Sequence, residues 1–81
     1  MPSTSATVGS AVGLHARPAA IIAEAAEGLS GSVTINGVDA SSSLMIMTLG
    51  AKKGDTVEVA GDEQSDVDAI VALVERDLDA E

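Results

Sequence analysis

The stretch VGLHARPAAIIAEAAEG, residues 12–28, contains a loop, a helix start and a helix end in direct succession. Pro18 falls in the first turn, where its missing N–H removes no hydrogen bond, and alanine dominates the positions up to Glu27. Gly28 follows, as glycine commonly does just beyond a helix C-terminus. The stretch therefore predicts a helix over residues 16–27, with His15 as the residue that caps its start.

Several stretches around this helix have the composition of strands. Residues 3–8 are rich in Thr, Val and small side chains, and TVEVAG, residues 56–61, alternates between polar and apolar. SVTI, residues 32–35, is followed by Asn36–Gly37 and then by VDA. Because Asn-Gly between two such runs is the strongest short hairpin signal, the sequence predicts four strands, the middle two joined by this turn.

Two further helices complete the pattern. Ser42 or Ser43 is suited to cap a short helix that ends at Gly50. In the last segment Ser65 is the predicted cap, and the apolar side chains fall on one helical stripe: Val67, Ile70, Val71, Val74 and Leu78. The predicted order is β-α-β-β-α-β-α, an α+β design in which helices cover one face of a small antiparallel sheet.

Length and composition restrict the kind of protein. Eighty-one residues predict one domain, residues 1–81, with an aliphatic core because Phe, Tyr and Trp are absent. Without Cys and with one His, we expect no disulfide, thiol nucleophile, zinc site or cofactor. No signal peptide and no apolar run long enough to span a membrane is visible, so we expect a cytoplasmic protein without membrane insertion. We also expect a monomer.

The net charge of −9 is unevenly distributed. Residues 61–81 carry eight acidic side chains against one basic one, whereas residues 1–60 are nearly neutral. We interpret the acidic segment as a solvated helix face. The overall charge argues against nucleic acids and anionic membranes as partners.

His15 lies two residues before Arg17 at the predicted helix start. The first N–H groups of a helix have no partners inside it and, together with the aligned peptide dipoles, form an anion site. Arg17 adds a planar fork of donors that suits phosphate oxygens, and Gly13 permits a tight loop. A neutral imidazole is a nucleophile, so a phosphoryl group could be accepted and held here. A lone histidine at a helix start is more commonly a capping or surface residue, and this reasoning leaves both interpretations open.

Two motifs carry a family resemblance. GLHARPA, residues 13–19, resembles the active-site signature of the HPr family, the histidine-containing phosphocarriers of the bacterial phosphoenolpyruvate:sugar phosphotransferase system. SSLMIMTLG, residues 42–50, resembles the second signature, and AKKGDTVEV, residues 51–59, resembles the turn and strand that follow it. The resemblance covers essentially the whole chain. It implies an open-faced sandwich of four antiparallel strands covered on one face by three helices.

The resemblance also implies a reaction. His15 matches the histidine that phospho-enzyme I phosphorylates on Nδ1, and Arg17 matches the arginine that steadies the phosphoryl group. The implied function is a phosphocarrier that passes this group to enzyme IIA components for sugar uptake. Such a carrier is not an independent enzyme, because its chemistry needs a partner. Two alternatives remain: a paralogous carrier of a nitrogen-linked phosphorelay, and a non-catalytic binding or scaffold module.

Partner docking and regulation are implied in the same way. The resemblance assigns Leu44 and Met47 to an apolar docking patch, and Lys52 and Lys53 to its basic rim. Ser42 aligns with the serine that an HPr kinase modifies in some members, and Ser43 in the same run is the alternative. The chain lacks the lysine that often precedes this serine, and Ser43 stands where a large apolar residue is common.

Overall fold

The computed structural model describes residues 2–77, which follow the predicted order β-α-β-β-α-β-α. The strands are β1 (Ser3–Thr7), β2 (Val33–Ile35), β3 (Val38–Asp39) and β4 (Thr56–Gly61), and the helices are α1 (Ala16–Glu27), α2 (Ser43–Thr48) and α3 (Gln64–Glu75). The predicted bounds of α1 and β4 are confirmed, and the other strands differ from the prediction by about one residue at an end. Leu78, predicted to extend the stripe of the last helix, lies outside the described residues.

The strands form one antiparallel sheet in the order β1-β4-β2-β3. The hairpin between β2 and β3 turns at Asn36 and Gly37, whose φ angles are +50° and +85°. A two-residue turn of type I′ needs a positive φ at both positions, and Asn and Gly are the residues that adopt it most easily. The hairpin predicted from this dipeptide is therefore confirmed.

The core lies between the sheet and the helices that cover one of its faces. Helix α1 lies against α2 and α3, and α3 also lies against β1 and β4. Buried aliphatic side chains recur at helical spacing in the two long helices and alternate along the strands: Ala19, Ile22, Ala23 and Ala26 in α1, Val67, Ile70 and Val74 in α3, Val33 and Ile35 in β2, and Val57 and Val59 in β4. This alternation leaves the polar side of the strands exposed on the uncovered face of the sheet.

Helix α3 begins two residues earlier than predicted. Its N-cap is Glu63, so Ser65 lies inside the helix and its assignment as the cap was wrong. The buried Asp66 carboxylate accepts a hydrogen bond from the Gly31 N–H at 3.0 Å, which ties the first turn of α3 to the loop that follows α1. The hydrogen bond joins residues that are far apart in the sequence, so the capping residues near Ser65 do not predict it.

Candidate functional site

The first half of the loop between β1 and α1, residues 8–15, is attached to the end of α3. The Gly9 N–H donates to the Val74 carbonyl at 3.0 Å, and Ser10 Oγ donates to the Arg76 carbonyl at 3.1 Å. A Cβ at Gly9 would overlap the Glu75 carbonyl, so only glycine permits this close approach of two backbones. The C-terminal end of α3 therefore sets the path of the loop.

The second half of the loop is attached to the segment after α2. The Leu14 N–H donates to the Ala51 carbonyl at 3.0 Å, and the Leu14 side chain is buried. Gly13 has a φ of +73°, and a Cβ there would lie 2.9 Å from the Lys52 Cα. The tight conformation expected for Gly13 is thus confirmed. The contacts of Gly13 and Leu14 therefore position the next residue, His15, at the start of α1.

His15 is the N-cap residue of α1, as predicted, with an extended backbone at φ −133° and ψ 156°. Its side chain is exposed and makes no capping hydrogen bond. Arg17, also exposed, follows in the first turn, and Pro18 there has no N–H. The backbone donors ahead of Ala19 at this helix start therefore belong to Ala16 and Arg17. An imidazole, a guanidinium and two amide groups thus belong to consecutive residues at one exposed helix start, and groups of these kinds can bind an anion.

Ala16, the first residue of α1, has a left-handed φ of +49°. A residue with a Cβ pays about 1–2 kcal/mol for this conformation. The Ala16 N–H donates to Met47 Sδ at 3.4 Å, so a side chain of α2 reaches the start of α1. Sequence reasoning missed both features, because they arise from the packing of α2 against α1 and leave no local signal.

Helix α2 is capped by Ser42, whose Oγ accepts from the Met45 N–H at 3.3 Å. This geometry assigns the cap to Ser42 and places Ser43 as the first helical residue. Just before the cap, the Ser41 hydroxyl and N–H donate to the Asp39 carboxylate at 2.7 and 2.9 Å. These hydrogen bonds hold the pKa of Asp39 below its ordinary value. They also fix the turn that leads into α2.

Three apolar side chains of α2 make up a surface that we call the α2 patch: Leu44, Met45 and Met47. Leu44 is 69% exposed and Met45 43% exposed, whereas Met47 is half-buried and packs against the core. The predicted pair Leu44 and Met47 is thus unequally exposed, and Met45, which the sequence prediction omitted, adds more surface than Met47. In a helix of only six residues, tertiary packing decides which side chains point outward.

Lys52 and Lys53 are exposed in the turn between α2 and β4. The Lys52 N–H donates to Asp55 Oδ2 at 2.9 Å, which shapes this turn. The backbone of Lys52 also adjoins Gly13 in the loop that carries His15. The structure therefore places the backbone of Lys52 next to the loop that carries His15.

Over residues 2–77, no group of three or more His, Asp and Glu side chains is arranged to hold a metal ion. None of the helices in that range combines the length and the apolar character needed to cross a bilayer.

An open-faced sandwich that exposes one histidine at a helix start, beside an arginine, has the architecture of a small histidine phosphocarrier. A family model described as the PTS HPr component phosphorylation site matches residues 2–76. The chain therefore belongs to the HPr family of the phosphotransferase system. The fold and the element order that the resemblance implied are confirmed.

Solved structures agree with this membership. HPr-C-His from Thermoanaerobacter tengcongensis is 30% identical with a TM-score of 0.88, over 100% of this chain and 99% of that one. The phosphocarrier protein HPr from Bacillus anthracis str. Ames is 25% identical with a TM-score of 0.83, over 90% and 95%. The histidine-containing phosphocarrier protein of a Mycoplasma is 29% identical with a TM-score of 0.69, over 91% and 88%.

Proposed function

We propose that this chain acts as one domain, residues 1–81, that accepts a phosphoryl group from phospho-enzyme I on His15 and passes it to enzyme IIA components for sugar uptake. The observation that carries the proposal is the position of His15, an exposed N-cap residue with no capping hydrogen bond, at a helix start that also bears Arg17. The proposed carrier works as a cytoplasmic monomer without a cofactor.

Transfer begins when the lone pair of an imidazole nitrogen, Nδ1 by family resemblance, attacks the phosphorus of the donor group. The N–P bond forms while the bond from phosphorus to the donor breaks, and the bonding pair stays with the donor. The oxygens of the resulting phosphohistidine lie near the positive end of α1, close to the N–H groups of Ala16 and Arg17. The Arg17 guanidinium adds charge-assisted hydrogen bonds. Transfer to an enzyme IIA component repeats the exchange with His15 as the donor.

The surroundings of His15 favour a carrier over an enzyme with its own turnover. An open cleft of about 420 Å³ lies at the other end of α1, where Glu27, Gly31 and Asp39 are among the lining residues. His15 does not line it. Because the His15 side chain is exposed, we expect a partner to enclose the reacting groups and exclude water.

The proposal is tested by incubating the protein with phosphoenolpyruvate and enzyme I and weighing the intact product. We expect one added phosphate per chain, lost in acid and retained in base, as for a phosphoryl group on nitrogen. An acid-stable adduct, or no adduct at all, would contradict the proposed function.

Arg17→Ala is expected to slow phosphoryl transfer to His15 by about 10- to 100-fold, because a hydrogen bond to a charged group contributes about 1.5–3 kcal/mol. Arg17→Lys should recover only part of the rate, since an ammonium lacks the planar fork. Rapid-quench kinetics with phospho-enzyme I measures both variants. Arg17 is exposed, so the melting temperature should change little in either variant. Wild-type rates for Arg17→Ala would refute the role.

We propose the α2 patch, with Lys52, Lys53 and Arg17 at its rim, as the docking surface for enzyme I and enzyme IIA. Its apolar centre and basic rim differ from the acidic remainder of the chain. An apolar centre supplies binding energy, and a charged rim mainly speeds association.

Leu44→Glu is expected to weaken binding to enzyme I by about 30-fold, because a hot-spot side chain contributes about 2 kcal/mol. Leu44 is 69% exposed, so the variant should melt close to the wild type. Isothermal titration measures the affinity. Ala72→Glu, at an exposed position of α3 outside the patch, adds the same charge and should bind normally. A Leu44→Glu protein that is folded and binds like Ala72→Glu would rule out this docking surface.

We also propose Ser42 as the regulatory serine for an HPr kinase. Its hydroxyl caps α2, so a phosphate on it would sit at the positive end of that helix. The phosphate would bring about two negative charges next to Leu44 and Met45 and so oppose docking on the α2 patch.

A further inference from the structure

We infer that Met47 is a positioning residue for the phosphoryl transfer: its thioether sulfur holds the Ala16 N–H in the unphosphorylated protein and releases it to a phosphoryl oxygen on His15. The inference rests on the proposed function, since it concerns the same helix start. It gives Met47 a task separate from docking.

The contact itself is specific. Met47 Sδ lies 3.4 Å from the Ala16 nitrogen, with the N–H aimed at the sulfur. Met47 is half-buried and packs against the core, so the sulfur is held in place, while the exposed Met45 on the same helix makes no such bond to the start of α1 within the described residues. The N–H that receives the sulfur belongs to the residue directly after His15.

This N–H is one of few donors available to the phosphoryl group. Pro18 has no N–H, so Ala16 and Arg17 supply the backbone donors of the first turn. Ala16 also holds a left-handed φ of +49°, and its N–H donates to the Met47 sulfur of α2. The sulfur contact is a tertiary interaction that helps to keep this unfavourable conformation populated.

Sulfur suits a temporary partner. A thioether is a weak acceptor, whereas a phosphoryl oxygen is a charged and strong one. The exchange of one for the other therefore favours the phosphorylated state. A carboxylate in place of the sulfur would bind the Ala16 N–H too strongly to release it, and its negative charge would repel the phosphoryl group.

Removing the sulfur has a consequence for the equilibrium of transfer. Without the sulfur, the unphosphorylated protein lacks the hydrogen bond from the Ala16 N–H to Met47 Sδ. The phosphorylated protein does not make this bond, so its free energy is unchanged by the loss. The equilibrium constant for transfer from phospho-enzyme I should therefore rise by about threefold, given the modest net value of a protein hydrogen bond. A change in docking alone alters the forward and reverse rates together and leaves this constant unchanged.

The experiment compares Met47→Leu with Met45→Leu, which makes the same chemical change two residues away on α2. Leu replaces Met at similar volume, and thermal melting verifies that both variants fold. Mixtures of each protein with enzyme I and phosphoenolpyruvate are brought to equilibrium with pyruvate, and ³¹P NMR measures the phosphohistidine fraction. We expect the rise of about threefold in Met47→Leu and none in Met45→Leu.

A second readout needs no variant. In the wild type, the Met47 methyl signal and the Ala16 amide signal should both shift on phosphorylation, with a smaller shift for the Met45 methyl. If the Met47 methyl signal of the wild type does not shift on phosphorylation, or if the two variants have equal equilibrium constants, the inference is overturned and the proposed function is not. A wild type that accepts no phosphate would overturn the proposed function and this inference together.

Discussion

His15→Ala is expected to abolish phosphate uptake from phosphoenolpyruvate and enzyme I. His15 is the one histidine of the chain, and the chain has no Cys that could act as another nucleophile of comparable strength. Intact-mass measurement of the variant should show the unmodified chain under conditions that convert the wild type completely. The expected reduction is to background, the largest effect on activity that we predict.

The fold of His15→Ala should be unchanged. The His15 side chain is exposed and makes no capping hydrogen bond, so its removal should alter the free energy of unfolding by about 0.5 kcal/mol or less. Thermal melting is the control that separates lost chemistry from lost structure. If a well-folded His15→Ala variant still acquires phosphate, another residue is the phosphate acceptor. A variant that still supports sugar uptake in cells would favour the scaffold alternative.

Gly13→Ala is expected to have the largest effect on stability, lowering the free energy of unfolding by about 3 kcal/mol. Gly13 has a φ of +73°, which a Cβ disfavours, and its Cβ would overlap the Ala51 carbonyl. Because the clash is with backbone, no side-chain rotation relieves it. For a domain of this size, such a loss is a large part of the total stability. Urea unfolding measures it.

Gly50→Ala is the matched control for Gly13→Ala. Gly50 has a similar φ of +64°, but a Cβ there would meet nothing within 4 Å. It should therefore show only the conformational effect, about 1 kcal/mol. The difference between the two variants isolates the contact of the His15 loop with the segment after α2. If both lose the same stability, the close approach at Gly13 is unimportant.

Phosphorylation of Gly13→Ala below its unfolding midpoint should also be slowed, because the loop that contains Gly13 positions His15.

Local signals in the sequence predicted some elements well. The alanine-rich run with Pro18 at its start and Gly28 beyond its end defined α1, because proline is typical of a first helical turn and glycine of a helix C-terminus. The Asn36–Gly37 turn was equally clear, because few other dipeptides accept two positive φ angles. The start of α3 was predicted wrongly, because a buried hydrogen bond from Gly31 to Asp66 acts there and has no local signature.

The sequence by itself determined the order of the elements, the alternation of buried and exposed positions, and the placement of His15 and Arg17 at the start of α1, because these depend on residues near one another along the chain. Only the tertiary structure decided which backbone groups hold the His15 loop, how far Met47 is buried, and that Ala16 turns its N–H to the Met47 sulfur. Those features join segments about 30 or more residues apart, so they exist only once α2 and α3 have packed against α1 and the sheet.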